Sequence, residues 1–319
     1  MTTTMKTWSP EAFAAAVAAA VWAPSIHNSQ PWRFRHTDDG VDVLLDEGRR
    51  LPVCDPDGRM ARISCGAAAF NLRLALAATG APAGYRIGTG PVVVHLTPGP
   101  PCPPTPMQRR LHWQIRRRHT NRGPFADSAV SAGGPVNLVE AARREGAWLD
   151  FVTDDAAVVA LAELIRSADE RLRADPAYTA ELRAWTSGAN HDIEGIGPHA
   201  AGPAPHPAEL LTRRDFGGAG RETTRDLARR PEVAVLGVLG DAADDAVRTG
   251  MALQCVLLTA ADLGLATAMF SQPIEVPACR EKLRRSVGRI HDPQLVLRFG
   301  YAPTTCYTNR RPVADVMEP

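Results

Sequence analysis

Residues 97–106, TPGPPCPPTP, hold six prolines in ten positions. Proline fixes φ and lacks an N–H, so neither a helix interior nor a central strand runs through such a stretch. It reads as a stiff, extended connector. It divides the 319 residues into a leading part, 1–96, and a trailing part, 107–319. At roughly 100–200 residues per domain, two domains fit. The chain is 45% hydrophobic and 22% charged, enough apolar material for a substantial core.

Periodicity supplies the elements. Before the connector the pattern predicts a helix over 10–22 with Pro10 in its first turn, short strands over 32–34 and 41–45, a small-residue helix over 67–78 stopped at Gly80, and a buried strand over 91–96. After it come helices over 107–118, 156–172, 177–185, 246–263 and 277–285. Strands are expected over 148–152, 233–239, 266–270 and 294–299. Helices and strands alternate, so the class is α/β or α+β. Residues 186–220 are rich in Gly, Pro and His and show almost no periodicity. A loop that long in a compact domain is functional or disordered.

One internal echo stands out. Shifted by 184 positions, residues 66–80 fall on 250–264, with Gly66/Gly250, Ala68/Ala252, Leu74/Leu258, Ala77/Ala261 and Gly80/Gly264 identical. Two copies on either side of a proline connector suggest a duplicated unit.

Charge narrows the function. With 36 basic and 35 acidic residues the net charge is +1, which disfavours a nucleic-acid or membrane-surface binder. All but two basic residues, Lys6 and Lys282, are arginine. No apolar run nears the ~18–20 residues that span a bilayer. The Ala-rich stretch 13–22 reads as a helix, not a signal peptide. Six cysteines without a CxxC pair suit reduced thiols in a cytoplasm. No metal is expected: His191, His199 and His206 are spaced by eight and seven, too loosely for a ligand set.

Three segments can carry chemistry. APSIHNSQPWRF (23–34) places Pro24, Ser25, Asn28 and Gln30 in a turn between a helix and a strand, either a polar ligand-facing turn or a well-capped connection over Trp32. In RRLHWQIRRRHTNRGPF (109–125), Arg118, Thr120 and Arg122 alternate. In an extended chain they share a face. Two guanidinium forks and a hydroxyl would cradle a phosphate monoester. The alternatives are a solvated basic helix end or an RNA contact. GYAPTTCYTNRRPVADV (300–316) offers another fork in Arg310 and Arg311.

These segments resemble the nitroreductase superfamily of FMN proteins, and more narrowly its Acg-type, twin-domain branch. APSIHNSQPWRF is similar to the family's Asn-x-Gln-Pro-Trp segment. RRHTNRGPF is similar to its phosphate-binding Arg-x-Ser-x-Arg/Lys, with Thr120 replacing Ser. Residues 250–276 resemble the helix and strand that run along the flavin ring, and the Gly-Tyr-x-Pro…Arg-Arg-Pro close resembles its C-terminal arm.

The resemblance implies an α+β chain of two tandem nitroreductase-like domains forming a pseudo-symmetric intramolecular dimer. The 1–96 half would have lost its phosphate clamp, leaving one FMN per chain. Arg118, Thr120 and Arg122, with Arg310 or Arg311, would hold the phosphate. Pro24, Ser25, Asn28 and Gln30 would touch ring or ribityl chain, and Ser271 and Gln272 would lie near flavin N5. Residues 186–220 would form a lid. Two readings follow: a flavin-sequestering or narrow-specificity protein, or an active reductase passing electrons from NAD(P)H to a small acceptor. An interaction module without flavin is a third class. Neither nucleic acid, nor a membrane, nor further oligomerisation is required.

Overall fold

The computed structural model describes residues 7–186, 192–217, 221–226, 230–286, 291–302 and 307–318. Ser9 caps the first helix, α1 (Pro10–Ala20), its hydroxyl accepting from the Ala12 N–H, with Pro10 in the first turn. The hairpin β1 (Trp32–Thr37) and β2 (Gly40–Leu45) follows. Then come α2 (Arg59–Ala78), β3 (Ala83–Ile87) and β4 (Val92–Pro98). These strands form an antiparallel sheet in the order β1-β2-β4-β3.

A short helix, α3 (Pro106–Gln114), leads to a second series. It comprises α4 (Gly133–Arg144), β5 (Trp148–Phe151), α5 (Asp155–Ala174) and α6 (Pro176–Thr186). The two-residue strands β6 (Ala204–Pro205) and β7 (Thr223–Thr224) pair within the next stretch. Next are β8 (Glu232–Gly237), α7 (Ala243–Asp262), β9 (Ala266–Phe270), α8 (Gln272–Glu275), α9 (Pro277–Ser286) and β10 (Pro293–Gly300). The second sheet runs β5-β8-β10-β9, again antiparallel. The chain ends in α10 (Val313–Val316) and β11 (Met317–Glu318), and β11 pairs in parallel with β1 of the first sheet.

The chain is thus α+β, and the two series share an order. Helix, strand, strand, helix, strand, strand describes α1 through β4, and equally α4, β5, β8, α7, β9 and β10. Both sheets place their members in the same sequence. The second series differs by a long insertion between β5 and β8, where the first has a tight turn between β1 and β2.

The central helices α2 and α7 pack on one another inside a single hydrophobic core drawn from both series. Each has 20 residues, and α7 starts and ends 184 positions after α2. Gly66 and Gly250 lie where they meet. A Cβ on Gly66 would sit 2.2 Å from the Val247 carbonyl oxygen, and one on Gly250 would sit 2.0 Å from that of Ile63. Val247 is 184 positions from Ile63, so the contact is reciprocal in the manner of a two-fold interface.

Several expectations need correction. The helix expected over 67–78 starts at Arg59, because the buried Asp55 carboxylate accepts from the Met60 and Ala61 amides at 2.9 and 2.8 Å and anchors its first turn. The helix expected through 118 stops at Gln114, which frees Arg118 from helical geometry. The proline connector is not wholly unstructured. Pro98 closes β4 opposite Ala83, and Pro106 opens α3 behind a Thr105–Gln108 capping box. Helix α4 was hidden by Gly133-Gly134-Pro135, and β3 by an exposed, weakly patterned edge. Among the described residues no helix is long and apolar enough to cross a membrane.

Candidate functional site

A cavity of about 880 Å³, counting the space that opens to solvent, lies between the two series. The turn after α1 supplies Pro24, Ser25, Ile26 and His27, and α2 supplies Met60, Ile63 and Ser64. From the other side come Leu253 of α7, the β9 end Ala268–Phe270, Ser271, Gln272 and Leu295. The insertion closes it with Ile196, Arg213, Arg214 and Phe216.

The segment after α3 is extended at this point. Thr120 bridges Thr267 of β9 in parallel, and the Asn121 amide donates to the Thr267 carbonyl at 2.7 Å. Alternation along it brings Arg118, Thr120 and Arg122 to one wall of a second, smaller cavity of about 330 Å³. Pro24, Ser25, Asn28, His119, Met269, Thr308 and Arg310 complete the lining, and among the described residues no Asp or Glu belongs to it. Pro24, Ser25, Thr120, Arg122 and Met269 border both spaces, so the two are contiguous.

The electrostatics of the smaller cavity are unusual. Arg118 is 3% exposed. One of its amino groups donates to the Trp22 carbonyl at 3.3 Å, while Nε and the other have no partner among the described residues. Arg310 donates to the Thr308 hydroxyl at 2.6 Å and to the Ala23 carbonyl at 3.2 Å, and its Nε is likewise unmatched. Burial and the neighbouring Arg122 push the Arg118 pKa down to about 10. Burial, Arg118 and Arg122 push that of Arg310 down to about 9. A buried cation with unmatched N–H groups is costly without an anion. This donor set fits a dianionic phosphate: planar forks and a hydroxyl converging on one small space.

The turn from Ser25 to Gln30 is strained. His27, Asn28 and Gln30 have φ of 48°, 56° and 52°. Non-glycine residues held so cost roughly 1–3 kcal/mol each and cluster at functional sites. Side-chain bonds hold the shape. The Ser25 hydroxyl accepts from the Gln30 amide at 3.0 Å. The Gln30 side chain accepts from the Arg311 amide at 2.9 Å and donates to the Ile193 carbonyl at 2.7 Å. Asn28 donates to the Gly195 and Asn309 carbonyls at 3.0 and 3.1 Å.

Of the residues singled out from sequence, Pro24, Ser25, Thr120 and Arg122 border both cavities, Ser271 and Gln272 the larger, and Arg118, Asn28 and Arg310 the smaller. Gln30 and Arg311 border neither. Gln30 is wholly buried and ties the turn to the insertion and the C-terminal arm. Arg311 donates to the Asp315 carbonyl at 2.7 Å within that arm. Within 186–220, residues 187–191, with His191, and 218–220 lie outside the described residues. His206 accepts from the Ala208 amide, and His199 packs its ring near Tyr307.

A buried network behind the larger cavity escaped sequence reasoning. Arg214 forms a two-pronged bond to Glu275 at 2.7 and 2.9 Å, with side chains 8% and 1% exposed. Burial is the largest influence and opposes the Arg214 charge, but Glu275 together with Tyr178 and Cys54 raises the pKa. The Cys54 thiol donates to Glu275 at 3.4 Å, and burial raises its pKa well above the ordinary range. Gln272 donates to Asp169 at 3.4 Å. Arg213 makes a similar pair with Glu209 and donates to the Arg122 carbonyl at 2.7 Å, tying the insertion to the extended segment that carries Arg122. Arg214–Glu275, Gln272–Asp169 and Cys54–Glu275 join positions 61, 103 and 221 apart, so no local pattern announces them, whereas Arg213 and Glu209 are only four apart.

No protein-family model matches the chain. Among curated proteins it is 33% identical over 313 residues to "Putative NAD(P)H nitroreductase Rv3131" of Mycobacterium tuberculosis (strain ATCC 25618 / H37Rv), covering 94% of this chain and 89% of the relative. It is 33% identical over 327 residues to "Putative NAD(P)H nitroreductase acg" of the same strain, covering 94% and 93%. Among solved structures, a nitroreductase with bound FMN from Desulfitobacterium hafniense DCB-2 overlaps 65% of this chain and 95% of its own, at 16% identity and a TM-score of 0.42. The FMN-dependent nitroreductase NfnB from Mycobacterium smegmatis, in complex with NADPH, overlaps 66% and 97%, at 18% and 0.40. These structural overlaps are too loose to add to the assignment, which rests on the sequence relatives. Sharing a third of its residues with them along nearly its whole length, the chain belongs to the Acg-type NAD(P)H nitroreductase-like family.

Proposed function

We propose that this chain is an FMN-binding oxidoreductase holding one flavin between two tandem nitroreductase-like halves, a pseudo-symmetric dimer in one polypeptide, with the insertion serving as a cover. The observation that carries the reading is the cluster of buried Arg118 with half-buried Arg122 and Arg310 in a small cavity that no carboxylate of the described residues lines. A phosphate monoester would meet the unmatched N–H groups of Arg118 and Arg310, with Thr120 adding a hydroxyl. The adjoining cavity falls in the ~300–1,000 Å³ range of small-molecule sites. The repeated element order and the reciprocal glycine contact support the tandem reading, with 97–106 as the junction.

Bound there, FMN supplies a ring that takes up and gives back electrons as hydride. The protein's own residues bind, orient and enclose. The arginines fix one end. Ser25, Ser271 and Gln272 offer polar groups along the larger cavity, and Met60, Ile63, Leu253 and Leu295 make its apolar walls. Ile196 and Phe216 of the insertion line the larger cavity and take up space that a nicotinamide entering it would need. Buried bonds from Arg213 and Arg214 hold that segment down, which favours flavin sequestration or a narrow choice of partner over broad NAD(P)H turnover.

The test is calorimetric titration of flavin-free protein with FMN and with riboflavin. Charged hydrogen bonds are worth ~1.5–3 kcal/mol each, so Arg118→Met or Arg310→Met should weaken FMN binding at least tenfold and leave riboflavin affinity near its original value. Equal losses for both ligands would refute the phosphate assignment. Steady-state NADPH oxidation with menadione separates the second reading. Turnover within the ordinary ~1–10³ s⁻¹ would refute a covering role and favour an active reductase.

A further inference from the structure

His27 sits on the wall of the larger cavity and is 5% exposed. Its backbone is held at positive φ, which His tolerates better than most residues. Two groups face its Nε2: Arg214 Nη1 at 3.5 Å and the Cys54 sulfur at 3.8 Å. The Cys54 thiol proton is committed to Glu275, which Arg214 also grips. A guanidinium only donates, so Nε2 must offer its lone pair. Burial, then Arg214 and Arg122, hold the imidazole well below its ordinary pKa, so it carries one proton. That proton belongs on Nδ1.

The Phe216 ring stands edge-on to the imidazole at 6.0 Å and fixes its plane. Among the described residues no hydrogen-bond partner engages Nδ1. The Nδ1–H of a residue lining a ligand-sized cavity is thus a prepared donor.

Resting on the flavin reading above, we propose that His27 donates from Nδ1 to a carbonyl or nitro oxygen of the electron acceptor, and so helps to set which acceptors bind. The neighbours point the same way. Arg122, Arg213 and Arg214 also line the cavity, and Glu209 and Glu275 are turned away into their pairs. This wall favours oxygen-rich, neutral or anionic acceptors and disfavours cations. His27 needs no proton change for the role, because a neutral donor fixed by Arg214 works across the neutral range.

The experiment has two arms on the flavin-loaded protein. Nitrogen-15 spectra of histidine should show His27 protonated on Nδ1 at neutral pH, the minor tautomer in water. Menadione affinity, read from the flavin's visible difference spectrum, should fall about tenfold in His27→Leu. It should stay within about threefold in His27→Asn, whose amide places an N–H near the Nδ1 position and tolerates positive φ. A proton on Nε2, or unchanged menadione affinity in His27→Leu, overturns the proposal while the flavin reading stands. A colourless wild-type preparation overturns the flavin reading itself, and this proposal with it.

Discussion

Replacing Gly250 by alanine tests the packing of the two central helices. The new Cβ would stand 2.0 Å from the Ile63 carbonyl oxygen and 2.9 Å from the Ala67 nitrogen. Both are backbone atoms, so no side chain can swing aside, and α2 and α7 must separate by more than about 1 Å to restore ordinary contact. A gap of ~0.5–1 Å forfeits a quarter to a half of each dispersion contact across the face. Overpacking of this kind costs ~1–3 kcal/mol, against a gain of up to ~1 kcal/mol from replacing a mid-helix glycine. The net expectation is a loss of about 1–2 kcal/mol. Gly66→Ala should lose a similar amount, since its Cβ meets the Val247 oxygen at 2.2 Å. The double variant is the discriminating one. Once the first alanine has parted the helices, the second enters space already opened, so the pair should cost ~1–2 kcal/mol less than the two single losses together. Urea titration followed by both circular dichroism and tryptophan fluorescence gives the comparison. Strict additivity, or a Gly250→Ala protein more stable than its parent, would refute the reasoning.

Other perturbations have equally definite outcomes. Arg214→Leu strands the Glu275 carboxylate, 1% exposed, and should cost about 3–5 kcal/mol in the same titration, while Arg214→Leu/Glu275→Leu recovers most of it. His119 has its pKa pushed from 6.5 down to about 4 by burial first, then by Arg118 and Arg310. Between those values the unfolded chain binds a proton that the folded chain refuses, so stability present above pH 6.5 drains away as pH falls toward 4. The melting temperature should therefore drop less over that range in His119→Gln than in the wild type. Added FMN should also narrow the drop, because an anion beside Arg118 and Arg310 relieves the repulsion.

Sequence reasoning reached the parts of this molecule that rest on local rules. The glycine-marked echo located both central helices, because a small-residue helix stopped by glycine has a strong local signature. The Arg118, Thr120, Arg122 alternation placed all three on one cavity, as an extended chain would, though the intervening His119 also reaches it. Other features depend on tertiary context. Asp55 starts α2 well before its apolar pattern begins, by a bond that no capping motif encodes. Arg214 and Glu275 are 61 positions apart, and only the folded insertion makes them a pair. Gln30 and Arg311 sit in motifs that invite a ligand role, yet their polar groups hold the turn and the arm to each other. A motif can mark a site without each of its residues facing the ligand.

The C-terminal arm ties the Arg310 wall of the smaller cavity to the integrity of the whole chain. It leaves the second sheet after β10, passes Arg310 over the end of α1, and terminates as β11 against β1 of the first sheet. A cation delivered this way exists only while both sheets hold their ends of the strap. Parting the two sheets would slacken the arm and withdraw Arg310, so, on the phosphate reading proposed above, loss of the ligand and separation of the sheets become one cooperative event. By mass action, ligand held at that end would then resist the parting with its full binding free energy.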